Sequence, residues 1–489
     1  MASWLSKVGK VGAWLDARLQ VAGTIRDTMA HPVPRDTASW FYVFGSATFV
    51  LMVMQFVTGI LLALVYVPSA ADAWQSLQVL NHQIAFGWFL RAVHGWGSNF
   101  MVALLLIHMS QVFLFGAFKY PRELTWMIGV GLLLLTLGMA FTGQIMRFDA
   151  DAYWGLGIGA SVSARVPFVG SWLVGLLLGG PIIAGQTLSR FFTFHVFVVP
   201  GLLIAAVLVH VFLVLKLGIN EWPMPGRLVS RKTYLARYQR QVHEDGVPFI
   251  PDAFERDFVF GGLIILAVLV CAAVFGPFGP AERPDPALID TVPKPDIFFL
   301  WLYAALALLP AKLETPLILI APIAGIAVLF LLPFIAGTGE KSWKRRPVAV
   351  LLVVFLAAGF AALTWLGRRP PWSPSMTAWS GAALPRELLD GRTPLEVQGG
   401  LVFQNKQCRN CHALGGTGGK RGPPLDDVAV YLTKDQLIRQ VLQGSGEMPA
   451  YGTHLRPAEV AALVAYMETL HPAGQPRARV SAASAIPGP

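Results

Sequence analysis

The sequence predicts an all-α integral membrane protein: seven crossing helices grouped four and three, with a small soluble all-α domain at the C-terminal end. Three observations predict it. Of 489 residues, 55% are hydrophobic and only 13% charged, against roughly a quarter charged in a soluble protein. Uncharged apolar runs long enough to cross a bilayer begin near Phe41, Ala92, Leu124, Phe191, Phe258, Thr315 and Pro347. Beyond Gly367 the apolar pattern gives way to a Pro-, Ser- and Gly-rich stretch, then to a polar segment with helical patterning at both ends.

Taken in order, residues 1–38 form a polar, basic N-terminal segment with no sustained apolar core, so no cleavable signal peptide is expected. Residues 39–217 carry four crossing helices, 218–256 a basic linker, and 257–366 three further helices. A tether follows at 367–394, the soluble domain at 395–471, and a tail expected to be disordered at 472–489. Two apolar runs are not read as crossings. Val166–Ser189 is broken by Gly170, Gly175, Gly179, Gly180 and Pro181, and Ile297–Ala311 is too short. Both are expected to lie at one surface.

The net charge of +10 is informative through its placement. Lys and Arg crowd the N-terminal segment, Lys119–Arg122, the linker and Lys341–Arg346, whereas Val67–Gly87 has none. The positive-inside rule puts those basic loops in the cytoplasm. Seven crossings then leave the soluble domain outside, in the periplasm of a bacterial inner membrane. This charge orients a membrane protein, and nothing points to nucleic acid.

That placement matters for "CRNCH" (Cys408–His412), the C-x-x-C-H signature of covalent haem attachment. Cys408 and Cys411 would supply thioethers and His412 the proximal iron ligand. Cys271, in an apolar span, reads as packing.

Four histidines lie inside apolar spans, where an imidazole is costly and usually functional. His94 and His108 are 14 apart, and His195 and His210 are 15 apart. About four helical turns separate each pair, so each shares a face with its members about 21–22 Å apart. Parallel helices would set His94 opposite His195 and His108 opposite His210: two stacked bis-histidine sites for non-covalent haem b, an outer and an inner one. Gly45 and Gly59 on the first span, and Gly129 and Gly143 on the third, are also 14 apart and would give a planar macrocycle clearance. The first four spans therefore read as a dihaem bundle. Arg91 and Arg190, at the outer ends, read either as cations for the outer haem's propionates or as snorkelling interfacial arginines.

"FGWFLRAVHGW" (Phe86–Trp96), "YPRELTW" (Tyr120–Trp126) and "GQTLSRFFTFHVFVVP" (Gly185–Pro200) resemble the cytochrome b of quinol:cytochrome c and plastoquinol:plastocyanin reductases. The 15-residue spacing is similar to the photosynthetic bf branch. The second unit resembles that branch's separate three-helix subunit, with "WKRRPVAVLL" (Trp343–Leu352) near its last-helix entry. The resemblance covers roughly Ser39 to Leu366. It implies quinol oxidation in an outer pocket bounded by the loop after the third helix and by a Pro-Glu-Trp-Tyr motif, replaced here by Pro295-Asp296-Ile297-Phe298. Asp296 would then be the quinol proton acceptor, although a helix N-cap is the competing reading. Tyr153 and Trp154 match the family's Tyr-Trp and would line the pocket or simply pack. Val43 stands where the bf branch has a haem-tethering cysteine, so no covalent third haem on the b side is expected. Lys216 or Asn220 are the marks of a cytoplasmic quinone-reducing site.

The soluble domain, with Gly400 and Phe403 ahead of C-x-x-C-H, then "GPPL" and "GEMPAYG", resembles monohaem class I cytochrome c. That resemblance implies Met448 as sixth ligand, with His454 a rival. Together these likenesses imply a complex in which one quinol electron crosses the membrane through two b haems. The other passes through a Rieske iron–sulfur protein to the fused c haem, with protons translocated. No Rieske motif occurs in the sequence, so that partner is a separate chain. A soluble cytochrome c or terminal oxidase would follow as acceptor, and the family implies a homodimer. The competing reading is a non-bifurcating electron conduit between the quinone pool and a periplasmic redox partner.

Overall fold

The computed structural model describes residues 12–14, 16–18, 23, 31–180, 183–284, 294–309, 311–369, 383–419, 422–444, 448, 451–452, 455–472, 474 and 476. Most of the N-terminal segment and tail, residues 370–382 of the tether, and Pro449 and His454 lie outside the described residues.

The crossing helices are α1 (Phe44–Ala63), α3 (Gly87–Leu114), α4 (Glu123–Ile145), α7 (Gly185–Leu217), α9 (Phe254–Phe275), α11 (Ala311–Ile335) and α12 (Pro347–Gly367). Among the described residues, seven helices are thus long and apolar enough to cross a membrane. Between them stand α2 (Ala73–His82), α5 (Ala150–Ala164), α6 (Gly170–Leu178), α8 (Tyr234–Asp245) and the short α10 (Leu300–Leu308). The run Val166–Ser189 divides between α6 and the first turn of α7, so its last residues belong to a crossing helix rather than to a surface loop.

One compact unit comprises residues 1–148, 156–280 and 319–361. In it α1 packs on α3, α4 on α7, and α9 on both α1 and α3. Lipid is as apolar as leucine, so such helices associate through close packing rather than water exclusion. Small residues accordingly occupy the contacts: Ala47, Ala92 and Ala272 are fully buried beside Leu51, Leu203 and Val268. Large residues such as Leu208, Phe258, Phe355 and Leu351 point outward, as a lipid solvent permits. Antiparallel pairing of β1 (Pro32–Pro34) with β2 (Gly246–Pro248), three residues on each strand, ties the N-terminal segment to the linker.

Helix α7 holds a local irregularity. Phe194–Val198 is a π turn, in which the Val199 amide reaches back five residues to the Phe194 carbonyl. A π turn accommodates one extra residue without continuing the α-helical phase. It begins next to His195.

The other unit comprises residues 149–155, 281–318 and 362–489. Its soluble part contains α13 (Pro394–Asn405), α14 (Val428–Tyr431), α15 (Lys434–Gln443) and α16 (Pro457–Met467). Thr393 opens α13 with a capping box to Glu396, and Thr433 does the same for α15 with Gln436. Helices α13 and α16 cross closely. A Cβ on Gly399 would come within 1.9 Å of the Ala462 carbonyl oxygen, so only glycine fits there. Phe403 and Tyr466 pack at 6.0 Å in a core with Leu414, Leu437, Leu463 and Val464.

Candidate haem and quinol sites

His94 and His195 face each other with ring centroids 6.4 Å apart and planes at 82°. Imidazoles on opposite sides of one metal, each nitrogen at about 2 Å, leave centroids roughly 6 Å apart. The pair therefore fits one iron between them. The four glycines each meet a histidine of the helix packed beside them. A Cβ on Gly143 would lie 2.8 Å from Cε1 of His195, one on Gly45 3.0 Å from His108, one on Gly59 3.3 Å from His94 and one on Gly129 3.5 Å from His210. The matched spacings thus serve antiparallel neighbours, α1 with α3 and α4 with α7, one glycine beneath each imidazole.

The two ends differ in their hydrogen bonds. Thr58 Oγ1 lies 2.8 Å from Nδ1 of His94, and Thr142 Oγ1 lies 3.0 Å from Nδ1 of His195. Nδ1 of His108 and of His210 is buried with no hydrogen-bond partner among the described residues. The Thr125 carbonyl lies near His210 but lacks the geometry of a bond.

Arg91 donates to Asn81 Oδ1 at 2.8 Å and to the Phe278 carbonyl. Arg190 gives Nη1 to the carbonyls of Gly175 and Leu176, at 3.0 and 2.7 Å, and so caps the C-terminal end of α6, where a cation is favoured. Its Nε and Nη2 have no partner among the described residues.

In the second unit the segment after α4 is stitched to the segment preceding α10. The buried Asp149 carboxylate accepts from the amides of Ala152 and Ala281, each at 2.9 Å. Asp151 Oδ1 accepts from the Lys294 amide at 3.1 Å, and Ala150 donates to the Glu282 carbonyl at 3.0 Å. These bonds bring the Tyr153–Trp154 segment to the strand of chain that carries Asp296. The rings of Tyr153 and Trp154 meet edge to face at 5.5 Å. The Trp154 indole Nε1 is buried without a partner among the described residues, a donor available to a ligand oxygen. Asp296 heads the 3-10 turn Ile297–Phe299, but its side chain makes no capping bond.

In the first unit, Lys216 and Asn220 each have partners within the protein. Lys216 Nζ lies over the Phe212 ring at 5.7 Å, and Asn220 donates to the Glu221 carbonyl and accepts from Lys341. A different pair stands beside His108: Ser46, next to Gly45, donates to Asp257 Oδ1 at 2.8 Å. A serine after a glycine, 211 residues from its carboxylate, carried no sequence signal. The loops nearby hold a buried ionic knot. Lys341 Nζ lies 3.0 Å from Glu221 Oε1, Tyr234 donates to Glu221 Oε2 at 2.5 Å, and Arg122 donates to Tyr234 Oη at 2.7 Å. Burial would raise the Glu221 carboxyl, but Lys341 and the Tyr234 hydroxyl outweigh it and hold it below the usual carboxylate range. Burial pushes the Lys341 ammonium down to about 7, with Glu221 opposing.

In the soluble domain a 3-10 turn, Cys408–Asn410, leads into His412, whose amide donates to the Cys408 carbonyl at 3.0 Å. His412 Nδ1 lies 2.8 Å from the Pro423 carbonyl. A carbonyl only accepts, so Nδ1 carries the proton and Nε2 keeps its lone pair for a metal. A Cβ on Gly422 would come within 2.3 Å of His412 Cε1. Met448 Sδ accepts from Gln440 Nε2 at 3.3 Å. Arg409, between the two cysteines, is buried and donates to Ala383 O and Thr417 Oγ1.

Comparison with known proteins agrees with this layout. Residues 29–218 match the family model "Cytochrome b/b6/petB" and residues 285–384 match "Cytochrome b(C-terminal)/b6/petD". Cytochrome b6 of Heliobacterium mobile is 37% identical over 209 residues, 42% of this chain and 98% of that protein. The chain belongs to the cytochrome b family. The menaquinol:cytochrome c reductase cytochrome b subunit of Bacillus subtilis is 35% identical to this cytochrome b over 220 residues, 44% of the chain and 98% of that subunit. A solved chain of a "Hyperthermophilic respiratory Complex III" superposes with a TM-score of 0.63 at 26% identity, covering 81% of this chain and 96% of that one. Residues 396–467 match "Cytochrome C oxidase, cbb3-type, subunit III", so a cytochrome c domain is fused behind the cytochrome b. The two kinds of domain imply haem b and haem c in a multi-pass membrane protein.

Proposed function

We propose that this cytochrome b is the membrane subunit of a quinol:cytochrome c oxidoreductase that oxidises quinol at the outer face of a bacterial inner membrane. One electron crosses the membrane, the other leaves through a separate Rieske protein to the chain's own cytochrome c domain, and proton translocation is coupled to both. The observation that carries this reading is the set of four imidazoles, each backed by a glycine of the neighbouring helix.

His94 and His195, with Gly59 and Gly143, hold the outer b haem; His108 and His210, with Gly45 and Gly129, hold the inner one. Cys408 and Cys411 anchor a c haem whose iron is bound by His412 and Met448. When bound, these groups supply reversible one-electron redox chemistry. Arg91 and Arg190 offer guanidinium hydrogens to the outer propionates. Asp296 takes a proton from the quinol hydroxyl, and Trp154 with Tyr153 walls the quinol pocket. On the cytoplasmic side Asp257, oriented by Ser46, delivers protons to the quinone being reduced. An ionisable group within a crossing helix is ordinarily functional. The distribution of Lys and Arg supports a cytoplasmic N-terminus and a periplasmic cytochrome c domain. Tethering raises that domain's effective concentration at the Rieske partner, and a soluble cytochrome c or terminal oxidase drains it. The complex is a homodimer in lipid.

The test is a haem count on the purified complex by pyridine haemochrome spectra with a redox titration. Two b haems of different midpoint per c haem are expected. One b haem, or none, would refute the paired-histidine assignment.

A further inference from the structure

We infer that Lys294 fastens the root of the cytochrome c tether to the segment that carries Asp296, and through that bond positions Asp296 to take its proton. The inference rests on the reading of Asp296 above and deepens it.

Lys294 is held at two points. Its backbone amide donates to Asp151 Oδ1 at 3.1 Å, in the segment that carries Tyr153 and Trp154, and its Nζ donates to the Arg368 carbonyl at 3.0 Å. Arg368 is the first residue beyond α12, so its carbonyl is one of the orphan acceptors of a helix end, where a cation is favoured. Capping alone would be served by a lysine from anywhere within reach. This one stands two residues before Asp296, across Pro295. A proline fixes its own φ and confines the residue before it to extended backbone. Few rotations therefore separate the two anchors of Lys294 from the Asp296 backbone. Beyond Asp296 the chain is held again, because the Phe299 amide donates to the Asp296 carbonyl at 2.8 Å. Leu300 follows and is seated on Gly367, where a Cβ would come within 2.5 Å of the Leu300 carbonyl oxygen. The end of α12 thus grips the acid segment on both sides of Asp296, through Arg368 before it and Gly367 after it. Arg369 folds back with its guanidinium 3.8 Å over the Trp365 ring, so the next tether residue is held as well. All these residues belong to one compact unit. Lys294 is a positioning residue, acting through Asp296.

Trypsin reads the bond directly. Arg368–Arg369 is a tryptic bond and Lys294–Pro295 is not, because trypsin does not cut before proline, so replacing Lys294 removes no competing site. In the purified complex with the full chain, Lys294→Met should speed release of a haem-bearing fragment beginning at Arg369, read by haem-stained gels and N-terminal sequencing. Steady-state kinetics read the positioning, with a short-chain benzoquinol or naphthoquinol as donor, whichever the wild type oxidises. Lys294→Met should lower kcat by about tenfold or more, since a misplacement of about 1 Å costs up to about 10²-fold. KM and haem content should stay near wild type. Lys294→Arg, which can still donate to the carbonyl, should restore both the cleavage rate and the turnover. If Lys294→Met fails to accumulate, Lys294→Ala carries the same test. Unchanged cleavage would overturn the bond, and faster cleavage at unchanged kcat would overturn the positioning. Full turnover in Asp296→Asn would instead overturn the proton-acceptor reading, and the positioning with it.

Discussion

Gly143 lies so near His195 that a Cβ would come within 2.8 Å of the ring, on the helix that also presents Thr142 to the same imidazole. Contacts under 3.0 Å require something to move, and a histidine held in line for an iron cannot move freely. The four glycines should therefore rank by clearance when changed to alanine. Gly143→Ala should lower b-haem content most, then Gly45→Ala, then Gly59→Ala, with Gly129→Ala close to wild type. The b:c ratio from haemochrome spectra measures the series. A flat series would show that the glycines serve helix packing alone.

Asp296 sits where an N-cap would, yet caps nothing with its side chain. Asp296→Asn should leave haem content unchanged while cutting quinol:cytochrome c turnover by about 10²-fold or more, the usual contribution of a general base. Asp296→Glu should retain much of the rate. The loss should appear in kcat rather than in assembly, which steady-state kinetics with a haem count separates.

Removing one partner of a buried ion pair strands the other. Glu221→Gln should destabilise the protein by about 3–5 kcal/mol, and Glu221→Gln with Lys341→Met should recover most of it. Thermal denaturation in detergent reads both. The pH dependence follows from the Glu221 carboxyl, held below its ordinary value. Its stabilising contribution is fully present above the unfolded carboxyl's pKa of roughly 4.3. It is lost as pH falls through the lower folded value. Lys341, pushed down to about 7, acts on the other side: its share of stability rises as pH climbs from there toward the unfolded lysine value of roughly 10.4. Glu221→Gln should abolish the acid-side loss.

Gln440 directs an amide N–H at Met448 Sδ. Under the proposed ligation, the positive end of that dipole would oppose the oxidised state of an iron held by this sulfur. Gln440→Leu should lower the midpoint of the c haem and leave both b midpoints in place. An unchanged c midpoint would mean that Met448 is not a ligand or that the amide turns away when haem is attached.

What could be read along the chain was whatever a single element enforces by its own period or chemistry. The histidine and glycine spacings are multiples of a helical turn, and thioether attachment requires Cys408, Cys411 and His412 to be contiguous. The apolar runs needed only length. What stayed hidden depends on which elements meet. Nothing in sequence couples Thr58 to His94, Asp149 to Ala281, or Ser46 to Asp257, because each bond spans helices whose register is set by packing. Lys216 and Asn220 were marked by polarity alone, and the fold spends them on a ring face and an ionic knot. For Arg190 the sequence offers either a propionate cation or a snorkelling arginine, while in the fold part of its guanidinium closes α6, a helix end invisible within a glycine-broken run.

The π turn at Phe194–Val198 has a consequence for how such a helix changes length over time. One residue inserted into an α-helix rotates everything beyond it by about 100°, which would swing His210 away from its partner. Looping the surplus residue out beside His195 confines the change to a single turn, and the lower half of the helix keeps its heading. A lineage can therefore gain or lose that residue without passing through a form that cannot bind haem. A fourth helix with one residue fewer between its histidines would differ from this one by that single turn.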